Sequence, residues 1–434
     1  MTVSSHPPQA SPPQAGPPQS SRRHRLASQL RERLPDLAAF CGALLCAGLA
    51  AVLTGLLVGC GGGVGSEGTG TGAVGSFSSG TITGFGSIVV NGVHFDESSA
   101  LVQDDDGLSL ARSSLALGMV VQITGGPQAT AADGSATAVA TAVRTNRALV
   151  GPAAALVVNV AANAGSNTGS LSVLGQTVLV AADTVFDARL AGGLARISTG
   201  QLLEVYGYYD STRALYTATR IAPADAAAGY RVSGPVAAVD VQAKTFTLGS
   251  QTYSLAGLAS SPAKDDQLRL KLQPNRDSGG HWVVSTARPD DAAPKDSAGA
   301  EIDGVVSALL AGSRFVVNGV TVDTSAAKIS GTLQLGAKVE VSGKLSAGVL
   351  LASKVQADSG GAKTFELSGT LSSLDSANRR FVLRATTVSY ARADLLFSGG
   401  TAARLVGYTG KLKVEGLLSS DRNVLDAIRI KFDD

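Results

Sequence analysis

What this chain has little of narrows it first. All three cysteines, Cys41, Cys46 and Cys60, lie near the start of its 434 residues, so no disulfide braces anything downstream and every later core must hold by packing alone. Beyond the amino-terminal segment only His94 and His281 remain. Neither has a second His or Cys at ligand spacing, so no metal site and no cofactor are expected. With no thiol and almost no imidazole, the body lacks the usual nucleophile and the usual general base near neutral pH. The chain is therefore read as a non-enzyme, with no catalytic residue assigned. Aromatic residues make up 5%, with Trp282 the single tryptophan, which leaves few platforms for stacking. Charge of one sign is missing too: five of the 36 Lys and Arg and two of the 34 Asp and Glu precede Gly59, so the remainder is nearly neutral. Such a body has no field for collecting phosphate backbones, and no nucleic-acid partner is expected. Asp104-Asp105-Asp106-Gly107 is the densest acidic run. An EF-hand loop would need an acid at Val102 and a Glu at Ser113, so the run reads as a solvated turn.

The amino terminus carries an address. Residues 1–59 read as a polar, Pro-rich leader followed by an export signal, in which five Arg precede an apolar stretch from Ala38 to Val58. The stretch ends in Leu57-Val58-Gly59-Cys60, which resembles the lipobox of bacterial lipoprotein precursors. The resemblance implies cleavage before Cys60, diacylglycerol on its sulfur, and a protein held on a membrane of the bacterial cell envelope. Gly61 in place of Asp implies the outer membrane, facing the periplasm or the surface. A retained transmembrane anchor is the alternative, because the stretch is long enough to span. Residues 60–79, rich in Gly and Ser, read as a flexible tether.

From Gly80 onward the chain repeats itself. A Gly-x-apolar strand opening recurs at Gly80, Gly151, Gly234, Gly304 and Gly369. A hairpin comes next, with Asn91-Gly92 or Asn318-Gly319 in the two positions of a type I′ turn that need positive φ. Gly175-Gln176 and Gly249-Ser250 take the comparable place, and the fifth unit has no such pair. A third landmark aligns Leu115 to Gly125, Ile197 to Gly207 and Leu333 to Gly343. The alternation in these strands, and in Leu268-Arg-Leu270-Lys-Leu272, puts aliphatic side chains on a core and charges in water. The reading is all-β: about five small closed modules at 80–147, 148–224, 230–290, 300–358 and 364–434, joined as a semi-rigid string.

The hairpin Phe315-Val-Val-Asn318-Gly319-Val-Thr-Val322 and the strand Leu333 to Gly343 resemble a domain-of-unknown-function family of envelope lipoproteins built from tandem OB-like β domains. Units one and four carry the resemblance well. It implies a fold but no activity. The functional reading is a lipid-anchored binding or spacer scaffold whose partners are the membrane, through Cys60, and an envelope glycan or protein. The alternative is a carbohydrate-binding module, with a carboxylate-dependent glycan hydrolase behind it. Tyr206 and Tyr208, two residues apart on one strand face, and Trp282 are the candidate ligand-binding residues.

Overall fold

The computed structural model describes residues 75–159, 168–256, 258–289, 296–358, 360, 363–420 and 422–433. Apart from five short 3-10 turns, all regular structure in them is β.

In the first barrel, strand Ser76–Phe85 pairs antiparallel with Ile88–Val90 and with Val120–Gly125. Ile88–Val90 pairs with Val93–Asp96, which runs parallel to Ala136–Thr145, and that strand closes on Val120–Gly125. Counting main strands in chain order, the ring runs 1-2-3-5-4-1, the order of an OB barrel. The same ring recurs at 149–223, 230–289, 297–357 and 364–433. Closure removes the unpaired edges that a five-stranded sheet would otherwise expose. Alternation does the rest: Val339 and Val341 lie in the fourth core, while Glu340 between them is exposed.

Two sequence landmarks are halves of one contact. Asn91 and Gly92 sit at φ 53° and 76°, Asn318 and Gly319 at 49° and 77°, as a type I′ turn requires. Each Asn side chain then folds back onto the first strand, its Nδ2 donating to the carbonyl of Ser79 at 3.1 Å or of Asp303 at 2.8 Å. The residue after each carbonyl must be small, because a Cβ on Gly80 or Gly304 would stand 2.3 or 2.4 Å from the Asn Oδ1. The fifth unit keeps the device without the signature. Its turn is Arg384-Ala385, both at positive φ, and Arg384 Nε donates to Ser368 O at 2.7 Å, next to Gly369. In the second barrel the positive-φ pair is Leu174-Gly175, one residue earlier than the sequence suggested.

The barrels do not form a string. Strand Ser76–Phe85 runs parallel to the opening strands of two others, Ser76 to Ser79 against Gly299 to Ile302 of the fourth and Gly84 and Phe85 against Glu366 and Leu367 of the fifth. Residues assigned to the tether, Ser76 to Ser79, are thus buried strand, and Phe77 enters the fourth barrel's core. The second and third barrels pair through Leu149 and Val150 with Arg231 and Val232. The apolar interiors merge accordingly into three clusters: barrels 1 with 5, joined by Val185, Tyr206 and Tyr208 of barrel 2 and Val305 of barrel 4; barrels 2 with 3; and barrel 4 with Phe77. Small barrels bury too little surface to be secure alone, and here each shares core with a neighbour.

Candidate functional site

The acidic run is not a solvated turn. Asp104 and Asp105 are 7% and 0% exposed, and the loop holding them is pushed from barrel 1 into the flank of barrel 3. Arg147 Nε donates to Asp105 Oδ1 at 3.0 Å and its Nη2 to Asp104 Oδ2 at 3.0 Å. Arg231 pairs with Asp106 and reaches Asp105 at 3.4 Å. Lys271 and Arg288 meet Asp106 at 3.0 and 2.7 Å. Arg144 and Arg269 close on the Asp105 carbonyl at 2.9 and 3.2 Å. Arg269 is 5% exposed, so the alternation that put charges in water fails here: this charge faces a second barrel. Burial alone would raise Asp106, but Lys271 and Arg231 outweigh it and hold the carboxyl below its usual value. Oxygens of the three carboxylates lie within 4.8 Å of one another, close enough for a cation. Guanidinium and ammonium groups already engage each of the three carboxylates, Asp105 Oδ2 alone being without a hydrogen bond among the described residues, so the arrangement is a buried ion network joining barrels.

A second polar surface lies on the outward face of strand Leu202–Asp210. Leu203 and Val205 point into barrel 2, while Glu204, Tyr206 and Tyr208 alternate to the other side, as the sequence spacing indicated for the two tyrosines. They form no open stacking platform, because the neighbouring barrels cover the face: Tyr206 is 3% and Tyr208 6% exposed. The Tyr208 hydroxyl lies 3.1 Å from Thr81 Oγ1 and donates to Asp303 Oδ2 at 3.4 Å, tying barrels 1, 2 and 4. Burial pushes both phenols above their ordinary value. It also raises the Glu204 carboxyl, against the pull of Arg147 and Arg220.

Two cavities flank this face. One, of about 570 Å³, is walled by barrels 1, 2 and 5 and has Glu204, Tyr206 and Arg220 on its lining. The other, of about 900 Å³, lies between barrels 2, 4 and 5 beside Tyr208, Lys338 and Arg422. Lys338 bridges Asp183 and Asp358 at 3.6 and 3.5 Å there.

Trp282 stands apart from the tyrosines. It is 6% exposed in the core shared by barrels 2 and 3, and its Nε1 donates to Leu174 O at 3.2 Å. The Arg276 guanidinium lies 4.2 Å from its centroid and Tyr230 packs perpendicular to it at 5.6 Å, so the ring is engaged by protein. His94, on strand Val93–Asp96, lies 3.3 Å from Ser87 Oγ, and His281 Nδ1 lies 3.3 Å from Asp277, each partner being local in sequence. Cys60 and the export segment fall outside the described residues. The sequence reading missed Glu204, Arg220 and Asn423 as cavity lining; an outward Glu beside two outward Tyr was the available signal.

Comparison with known proteins adds little to this geometry. A family model described as a domain of unknown function, DUF5666, matches residues 159–222 and 303–356. That domain occurs twice in this chain. The matches fall on barrels 2 and 4; barrel 1, whose Asn91-Gly92 hairpin copies the motif so closely, is not among the matched residues. No curated protein matches the chain. The solved structure of Drosophila Unr CSD456 is 13% identical over 49% of this chain and 98% of its own, with a TM-score of 0.14. At that score the strand order above carries the fold by itself.

Proposed function

We propose that this chain is a lipid-anchored scaffold of a bacterial envelope, a rigid multi-barrel body held to a membrane through Cys60 that presents surfaces for binding or spacing and turns over no substrate. The observation that carries the reading is the coupling of the barrels. One strand, Ser76–Phe85, belongs to the pairing of three of them, and the Asp104 to Asp106 network ties the first to the third. A body so cross-linked holds its surfaces at fixed separations, as a spacer or display protein needs. The Leu57 to Cys60 sequence supports the anchor, since acyl chains contribute about 0.8 kcal/mol per buried CH₂ and several chains retain a protein on a bilayer. The near-neutral surface supports a protein or glycan partner in the envelope over nucleic acid.

The anchor is tested by Cys60→Ser. The substitution is expected to abolish labelling by radioactive palmitate in cells and to shift the protein from the membrane to the soluble fraction. Retention in both assays would remove the anchor from the proposal.

A further inference from the structure

The Asn-Gly hairpins of barrels 1 and 4 are copies of each other, and what docks beside one is missing beside the other. In barrel 1, Ile82 pairs with Val90 and, past a bulge, Gly84 pairs with Val89. In barrel 4, Val306 pairs with Val317 and, past the same bulge, Ala308 pairs with Val316, so Gly84 and Phe85 correspond to Ala308 and Leu309. The second edge of Gly84 and Phe85 is filled, because Glu366 and Leu367 of barrel 5 run parallel to it. The second edge of Ala308, Leu309 and Leu310 carries no strand among the described residues. The side chains report the same difference. Phe85 is 8% exposed in the core shared by barrels 1 and 5, whereas Leu309 and Leu310 are 51% and 45% exposed.

Strand edges without a neighbour are ordinarily blunted by charge, and barrels 3 and 5 follow that rule. Where barrel 4 has Leu310 opposite Arg314, they have Asp240 opposite Thr245 and Asp375 opposite Arg380. Each Asp accepts a backbone N–H of its own turn, from Ala243 at 2.9 Å or Asn378 at 3.0 Å. Barrel 4 has two exposed leucines instead. Barrel 2 closes the edge upstream, its Ser211 hydroxyl donating to Ser307 O at 3.2 Å, so the open stretch is 308–310, as short as the pairing of barrel 1 with barrel 5. An edge of this kind, with unpaired backbone groups flanked by apolar side chains, accepts an extended segment as an added strand. A second copy of this chain has no opening strand to give, since those of barrels 1, 4 and 5 are paired together and those of barrels 2 and 3 with each other. We propose that the edge at 308–310 of barrel 4 takes a β-strand of a different protein, apolar at alternate positions as Phe365-Glu366-Leu367 is. This goes beyond the scaffold reading and stands without the lipid anchor.

The probe is a fluorescein-labelled peptide of residues 363–370, the segment that fills the equivalent edge in barrel 1, titrated with the full chain. A saturable rise in polarisation is expected, together with slowed amide hydrogen exchange at 308–310. Leu310→Asp gives barrel 4 the residue with which barrels 3 and 5 fold, and is expected to weaken peptide binding roughly tenfold or more. A peptide carrying Phe365→Ser and Leu367→Ser should not bind, a control that leaves the protein itself unchanged. Absence of saturable binding, equal affinity in Leu310→Asp or for the Ser peptide, or exchange protection confined to residues outside 308–310 would overturn the proposal. Self-association of the chain that Leu310→Asp abolishes would overturn it too, by making a second copy the occupant. Cys60→Ser leaves this titration unchanged, so the two proposals fail separately.

Discussion

Glu301 sits in the seam where the first and fourth barrels run parallel, aligned with Ser78. One of its oxygens accepts from Gln128 at 3.3 Å and the other is buried with no partner among the described residues. Burial, with Glu340 nearby, pushes its carboxyl up to about 7. A raised carboxyl holds its proton more tightly in the folded chain, so its stabilising contribution is complete below the unfolded value of 4.5 and is lost as pH rises through about 7. Glu301→Gln fixes the neutral form. The variant is expected to melt higher than the parent at pH 8 and at the same temperature at pH 4.5; an equal offset at both would show that ionisation is not involved. None of this is legible in the sequence. The strand Ser297–Leu310 alternates like any other, and the partner that shuts water out lies more than 200 residues upstream.

At the scale of the element, hairpins were the most legible part of the chain because their chemistry is local. Asn91-Gly92 and Asn318-Gly319 announce a turn whose two positive φ angles few other pairs accept. The fifth hairpin was missed because Arg384 and Ala385 carry no such signal, yet both hold positive φ and Arg384 takes over the bond that Asn makes elsewhere. Ala385 at φ 62° bears the left-handed penalty of about 1–2 kcal/mol, partly offset by the extra unfolded-chain entropy a glycine would bring. Ala385→Gly should therefore stabilise the protein by about 0.5–1 kcal/mol, seen as a higher urea midpoint at unchanged slope; a lower midpoint would contradict the strain. The closing glycine of the third landmark has a steric cause. It stands at a bulge, where a Cβ on Gly343 would lie 2.2 Å from the Leu351 carbonyl oxygen and one on Gly207 2.2 Å from that of Thr217. Tyr206 and Tyr208 were placed on one face by spacing alone. What covers that face was not legible, since the covering residues belong to other barrels.

At the scale of the molecule, the ion network decides how the barrels stand. Asp105 meets Arg147 from its own barrel's exit and Arg231 from barrel 3, partners 42 and 126 positions away. That separation is why three consecutive aspartates read as surface. Deleting the central carboxylate takes from the desolvated Arg147 and Arg231 the counter-charge they share and leaves them only Asp104 and Asp106, so Asp105→Ala is expected to cost up to about 3–5 kcal/mol, measured by denaturant unfolding at pH 7. A loss under about 1 kcal/mol would mean that apolar packing alone sets the junction. Strand Ser76–Phe85 has a consequence of another kind. It is the first described strand after the stretch that leads back to Cys60, and at Ser76 to Ser79 it is flanked on both sides, parallel to barrel 4 and antiparallel to Val120–Gly125. A pull applied to the amino-terminal end of this strand would run along its axis, loading two rows of hydrogen bonds in shear so that they resist together instead of unzipping singly, which makes Ser76 to Ser79 a mechanical clamp.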